Sequence, residues 1–244
     1  MCGRFALFRG MDPLVDDLDA IDLTGGSVPP RWNTAPTVPV AVVTESVDRA
    51  SGEVLRALRV ARWGLLPPFA KDLSFSAHTF NARLETLDRK PSFRGQLARY
   101  RALIPMDGYY EWRRCEDDRT KQPFFITPAD GTPLYMAALV AWWRGDGGHS
   151  GPAASPDGAW LLSASIITRA AAGGLAEIHD RTPVMLRRAA VDAWLDPQLS
   201  SSREVMAFLH EEAHLLPDAA LELRPVGPAV GNVRVDGPEL IARV

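Results

Sequence analysis

The chain has little cysteine: two residues in 244, Cys2 and Cys115. No disulfide framework is suggested, and a reducing compartment fits. No apolar run approaches the length of a membrane-spanning helix, and the first residues lack the apolar core of a secretory signal, so neither a membrane partner nor secretion is expected. Strong charge of one sign is also missing, since 27 Lys and Arg against 30 Asp and Glu leave a net charge of −3. A nucleic-acid partner is therefore not announced by bulk charge and would have to be met by a local basic surface. Turn chemistry is plentiful instead. Twenty prolines and 19 glycines punctuate short apolar stretches, the mark of a loop-rich, strand-heavy body.

Strands are predicted over residues 4–8, 38–44, 54–63, 102–105, 123–127, 134–142 and 159–168, with a last one from 222. Asp12 reads as the N-cap of a first helix with Pro13 at its first position. Further helical stretches are expected near 85–88, 90–97, 189–195 and 203–215. Residues 25–36 read as a Gly/Pro-rich loop, and Asp107-Gly108 as a tight turn. Tyr109-Tyr110-Glu111-Trp112 alternates as a strand would, which puts Tyr109 and Glu111 on one face. Residues 144–158, rich in Gly, Ser, Ala, Pro and Asp, read as a flexible surface insertion within a single domain spanning 1–244. The expected class is α+β, with a curled, mainly antiparallel, barrel-like sheet flanked by helices.

Cys2 directly follows the initiator methionine. With Met1 removed, the chain would begin with an amine and a thiol two bonds apart, both titrating near neutrality. Such a pair can attack a carbonyl with nitrogen and close a ring with sulfur, which no interior residue can do. Three other polar residues sit in unusual company. Glu111 lies between Tyr110 and Trp112, where burial would suit it to give and take protons; His179 follows Ile178; Asn81 follows Phe80. Taken singly, each has a plain structural reading: a small buried thiol, an ion-paired carboxylate, a helix-terminal histidine, a turn amide. Together they would supply a nucleophile, two proton carriers and an orienting amide. Arg4, Arg83 and Arg181 each lie within two residues of one of these positions, a pattern suited to clamping phosphates. Trp32, Trp63, Trp112 and Phe69 offer flat faces on which bases of a single strand could stack, although core packing is the usual use of such residues.

An ordered series of motifs then becomes visible. Met1-Cys2-Gly3-Arg4 is followed by Asn33-Thr34-Ala35-Pro36-Thr37, by Arg62-Trp63-Gly64-Leu65-Leu66-Pro67, and by Asn81-Ala82-Arg83-Leu84-Glu85-Thr86. Lys90-Pro91-Ser92-Phe93-Arg94, Leu103-Ile104-Pro105 with Asp107-Gly108-Tyr109-Tyr110-Glu111-Trp112, and Ala176-Glu177-Ile178-His179-Asp180-Arg181-Thr182-Pro183-Val184 complete it. The series resembles that of the SOS-response-associated peptidase (SRAP) family over nearly the whole chain. Met106, where a small residue is more usual, and the insertion at 144–158 are departures that touch no motif residue. The resemblance implies a protein that shields abasic sites in single-stranded DNA. The freed amine of Cys2 would form a Schiff base with the C1′ aldehyde, and its thiol would close a thiazolidine. It implies acid/base roles for Glu111 and His179 and an orienting role for Asn81. Arg4, Arg83 and Arg181 would be phosphate contacts, and Trp63, Trp112 and Pro36 would shape the groove. No cofactor or metal is implied. A monomer acting in the cytoplasm, at damaged DNA on the nucleoid, is expected.

Three other readings compete. An N-terminal cysteine followed by glycine also opens glutamine amidohydrolases of the N-terminal-nucleophile type, where the thiol attacks an amide and the amine is the base. His210-Glu211-Glu212-Ala213-His214 matches the zinc-peptidase pattern H-E-x-x-H, but Pro217 ends that helix within a turn and no third ligand is evident. A non-catalytic single-strand binder would use the arginines and aromatics and leave Cys2 and Glu111 idle. Covalency with abasic DNA separates all three from the resemblance.

Overall fold

A computed structural model describes residues 2–48, 50–115, 120–145, 148–213 and 220–244. Fourteen strands and five α-helices are found among them. In chain order these are β1 (Phe5–Leu7), α1 (Asp12–Leu18), β2 (Ile21–Asp22), β3 (Arg31–Thr34), β4 (Pro39–Val47), β5 (Val54–Trp63), β6 (Asn81–Arg83), α2 (Pro91–Arg94), β7 (Arg101–Met106) and β8 (Gly108–Arg114). There follow β9 (Lys121–Pro128), β10 (Leu134–Trp143), β11 (Leu161–Ala170), α3 (Gly173–Ala176), β12 (Arg181–Pro183), β13 (Met185–Leu186), α4 (Val191–Leu195), α5 (Ser202–Glu212) and β14 (Leu221–Pro225). The class is α+β, as expected. No helix among the described residues is long and apolar enough to cross a membrane.

The larger sheet closes on itself. Strand β4 pairs with β5 and β7, β7 with β10, and β10 with β11, all antiparallel. A short parallel seam between β11 and β5, Ser163 opposite Arg62 and Ala164 opposite Trp63, completes the ring. Closure explains why β7, β10 and β11 are buried along almost their whole length. One face fills the ring and the other is covered, so their sequences are near-continuous apolar runs rather than alternating ones. The seam continues through Gly64, whose N–H donates to Ala164 O at 2.8 Å. Gly64 has φ 137°, and a Cβ there would meet Ser76 O at 2.2 Å, so only glycine fits.

The smaller sheet has the order β14-β9-β8-β1-β3. The chain passes from the ring to this sheet between β7 and β8, at Asp107 alone. Asp107-Gly108 is therefore a bend between sheets and not the tight turn predicted. The Asp107 carboxylate accepts the Phe8 and Arg9 N–H groups at 2.6 and 3.0 Å and pairs with the Arg9 guanidinium, which ties the end of β1 to the corner. Along β8, Tyr109 joins the main core, whereas Tyr110 and Trp112 face a smaller cluster containing Ala6, Phe125, Val226 and Val230. The predicted alternation holds.

Other expectations need correction. Residues 31–34 form β3, not loop, because the Trp32 and Asn33 N–H groups are satisfied by the distant Asp236 carboxylate at 2.7 and 3.1 Å. The N-cap of α1 is Met11, with no side-chain cap bond, so Asp12 is the first helical residue. Helix α2 stops at Arg94, short of the expected 97. The His210–His214 pattern reaches the end of α5, but His214 lies outside the described residues.

Candidate functional site

Strand β11 is the template of the site. Its C-terminal half carries β6 on one edge, with Ile166 opposite Asn81 and Thr168 opposite Arg83. The other edge carries β12, with Thr168 opposite Pro183 and Ala170 opposite Arg181. Asn81 and the His179 loop are thereby brought to either side of one strand end. The smaller sheet supplies the remaining parts. Phe5 of β1 lies opposite Tyr109 of β8, and the Tyr110 N–H donates to Arg4 O at 2.9 Å. Those pairings bring the start of the chain alongside Glu111.

The geometry is specific. Asn81 Nδ2 donates to the Cys2 carbonyl at 2.8 Å, while its Oδ1 is buried without a partner among the described residues. His179 Nε2 lies 4.0 Å from Glu111 Oε2. Cys2 is fully buried and Glu111 is 3% exposed. Burial first, and the neighbouring Glu111 charge second, push the Cys2 thiol well above its ordinary range, so the sulfur holds its proton at neutral pH. Behind Glu111, the hydroxyls of Tyr109 and Thr182 share a hydrogen bond of 2.9 Å. Burial drives the Tyr109 phenol far upward, against the opposing pull of that bond.

His179 Nδ1 has two suitors: the Arg181 N–H at 2.9 Å and Asp180 Oδ1 at 2.8 Å. One nitrogen cannot accept from the first and donate to the second at once. The side chain of Asp180 is 84% exposed, so water competes for it, whereas the Arg181 N–H is fixed by β12. The Arg181 contact favours the tautomer that carries its proton on Nε2, facing Glu111.

The arginines divide. Arg83 is exposed and lines a cleft of about 320 Å³ together with His78, Phe80, Asn81, Lys90 and Ser92. Among the described residues neither Arg83 nor Lys90 has an ion-pair partner, so both charges are available to a ligand. Arg181 is not open in this way. Its guanidinium grips Glu85 through two bonds of 2.7 and 3.0 Å and also donates to Thr168 O at 2.8 Å. Those bonds hold the Glu85 carboxyl below its ordinary range. Arg4 lies elsewhere: it donates to Asn33 Oδ1 at 2.8 Å and to Val230 O at 2.6 Å, and burial lowers its pKa. It fastens the C-terminal segment to β3.

The aromatics divide as well. Trp63 is fully buried, with its ring 5.0 Å from Phe5 and 5.9 Å from Phe80 and its Nε1 donating to Phe80 O at 3.0 Å. The expectation of a flat face for bases fails there, and Trp63 acts as a prop behind the site. Trp112 and Pro36 are half-buried. Next to Pro36, Thr37 has φ 71°, a strained value for a β-branched residue, held by its N–H bond to Trp63 O at 2.7 Å. Sequence reasoning missed Thr182 and the clamp role of Glu85. Thr182 lies three residues past His179, and Glu85 four past Asn81; only the pairing of β6 and β12 on one strand gives either its meaning.

A family model described as SOS response associated peptidase (SRAP) matches residues 1–233. The chain is 33% identical over 243 residues to the abasic site processing protein YoqW of Bacillus subtilis, covering 99% of each. It is 32% identical over 253 residues to the abasic site processing protein YedK of Escherichia coli, covering 100% of each. The rat abasic site processing protein HMCES is 29% identical over 283 residues, with 99% of this chain and 76% of the relative covered. Among solved structures, a Bacteroides thetaiotaomicron protein superposes with a TM-score of 0.80 at 19% identity over the whole of both chains, a likeness of fold. A phage-related protein of Bordetella bronchiseptica gives 0.65 at 28% identity, with 92% of this chain and 94% of that one covered. The family-model match over residues 1–233, together with relatives 32–33% identical over nearly the whole of both chains, places this chain in the SOS response associated peptidase family.

Proposed function

We propose that this protein shields abasic sites in single-stranded DNA by forming a covalent thiazolidine through Cys2, acting as one domain over 1–244 with residues 144–158 as a surface insertion. The observation that carries the reading is the convergence of Cys2, Asn81, Glu111 and His179 from four separate stretches of chain. The names of the relatives support the substrate class.

Met1 is removed by hydrolysis of its peptide bond to Cys2, with Glu111 as the base for the attacking water. The exposed amine is held by its own carbonyl, which Asn81 fixes. In the substrate, Glu111 takes the proton of the C1′ hydroxyl and returns one to the ring oxygen, which opens the deoxyribose to its aldehyde. The amine adds to C1′. A proton delivered to the new hydroxyl lets water leave, and an imine remains. Sulfur then adds to the imine carbon while the thiol proton passes to nitrogen. Aldehyde and aminothiol thus give thiazolidine and one water. The raised thiol pKa fits this order, because nitrogen attacks first and sulfur keeps its proton for the last step. His179, with Nε2 facing Glu111, moves protons to and from that carboxylate, in the forward reaction and in reversal. Arg83 and Lys90 hold phosphates along the cleft, and half-buried Trp112 and Pro36 shape the path of the strand outside that cleft. Arg181 acts on the site through its guanidinium on Glu85 and through its backbone N–H, which donates to His179 Nδ1.

The test is incubation with single-stranded DNA containing one abasic site, followed by denaturing electrophoresis. A slow-migrating adduct that survives denaturation supports the reading. Salt-sensitive binding alone would leave a non-catalytic single-strand binder. Glutamine hydrolysis lost in Cys2→Ala, without an adduct, would favour the amidohydrolase.

A further inference from the structure

A second hollow, of about 490 Å³, is lined by Pro68, Gln96, Tyr100, Trp142, Ser155 and Trp160. Its three aromatic side chains are open to solvent: Tyr100 is 47%, Trp142 39% and Trp160 42% exposed. Among the described residues none of the three rings stacks on another aromatic ring. The backbones that carry them are nonetheless fixed. Trp142 is the one exposed position in the otherwise buried β10. The Tyr100 carbonyl accepts the Val140 N–H at 2.8 Å, and Trp160 exchanges bonds with Ser155, its N–H to Oγ at 3.0 Å and its carbonyl from the Ser155 N–H at 2.8 Å. Open rings on a rigid frame are a preorganised stacking platform rather than loose surface.

Two stretches of backbone connect the lining of the cleft beside Asn81 to that of the hollow. On one, Ser92 and Phe93 line the cleft, and Gln96, whose N–H donates to Phe93 O at 3.0 Å, lines the hollow. On the other, Thr79 of the cleft accepts the Leu65 N–H at 3.3 Å, at the head of the segment that ends in Pro68. The first stretch is cationic. Lys90, Arg94 and Arg99 are all exposed, and no acid interrupts residues 89–99, while Arg89 turns back to Asp88 at 3.7 Å and to Glu85 O at 2.7 Å. Beyond them, the Arg144 guanidinium sits 6.0 Å from the Trp160 ring. Asp157, on the Ser155 loop, has its carboxylate taken up by the Ser155 hydroxyl and the Ala159 N–H at 2.5 and 3.0 Å. Aromatic faces reached along a positive rail suit a polyanion with flat side groups. A proline-rich peptide would use the aromatics but not the rail.

We infer that this hollow is a base-stacking subsite for nucleotides flanking the one held at Cys2, on the same single strand. The inference rests on the reading of the chain as a single-strand binder, and its test avoids the covalent step. An intact ten-residue oligodeoxythymidylate, without an abasic site, is titrated against wild type, W142A/W160A and W142F/W160F by tryptophan fluorescence and by anisotropy of a label on the DNA. Wild type should bind, the alanine pair should bind about 10- to 100-fold more weakly, and the phenylalanine pair should keep most of the affinity. All three should crosslink equally to an abasic strand with two flanking nucleotides on each side, which reports on folding and on Cys2 separately. Binding of the intact strand that is absent, or equal in wild type and the alanine pair, overturns the subsite. So does quenching by a proline-rich peptide but not by the strand. Loss of crosslinking in every protein, with the stacking difference intact, would sink the covalent reading and leave the subsite standing.

Discussion

The side-chain amide of Asn81 holds the carbonyl of Cys2 at 2.8 Å across 79 residues of sequence. That bond orients the first peptide unit without touching its nitrogen or sulfur, the two atoms the proposed chemistry needs. Asn81→Ala should therefore slow crosslinking by about tenfold, the scale of one partly buried hydrogen bond, and leave the melting temperature close to wild type. Single-turnover gel kinetics with a thermal melt alongside would check it. A large drop in stability with normal crosslinking by the folded fraction would reduce Asn81 to a structural amide.

Trp63 should behave as core. Trp63→Ala would cost about 3–5 kcal/mol of stability, as large-to-small changes at buried aromatics do. Trp63→Phe, which keeps an apolar ring between Phe5 and Phe80, should retain near-normal single-strand affinity. Chemical denaturation and binding measured on the same preparations separate the two. Selective loss of DNA affinity in a stable Trp63→Phe protein would restore Trp63 as a base-contacting residue.

Glu85 and Arg181 form a clamp whose far end, the Arg181 N–H, sets the His179 tautomer. Glu85→Gln keeps the shape but removes the charge. It should slow crosslinking by about two- to fivefold, the scale of a partly exposed ion pair, and displace the pH profile of the reaction. An unchanged pH profile would separate the clamp from His179.

A pH dependence belongs to the C-terminal segment. The Glu222 carboxyl is held down to about 2, chiefly by its hydrogen bonds to Arg224 and also by Arg243. Its folded pKa is depressed, so its stabilisation is fully present above the ordinary carboxylate value and is lost as pH falls towards 2. Glu222→Gln should melt lower than wild type at pH 7, and the gap should close progressively below about pH 4. A gap that is constant with pH would point to packing rather than charge.

Much of this was readable in the chain. Glu111 among aromatics, and Tyr109 on its face, follow from strand alternation alone. The buried runs of β7, β10 and β11 signal a sheet covered on both sides. Ring closure does not follow, because the β11–β5 seam joins residues 101 positions apart through only two register pairs. The partners of two arginines are hidden from the sequence for a related reason. Arg4 and Arg181 sit beside site residues in sequence, but their partners, Val230 and Glu85, lie 226 and 96 residues away. Proximity along the chain says nothing of where a guanidinium turns. The burial of Trp63 is not legible either, because a tryptophan in a motif looks the same whether its ring meets solvent or core.

The central claim is that nitrogen and sulfur of one residue both bond to the same sugar carbon. Intact-mass measurement of the adduct with abasic single-stranded DNA, with and without borohydride, tests it most directly. The account predicts the mass of the chain lacking Met1 plus the strand minus one water, unchanged by borohydride, because a thiazolidine has no imine to reduce. Cys2→Ser should give an adduct only when borohydride traps it. A wild-type adduct that gains two hydrogens on reduction, or that retains Met1, would contradict the account.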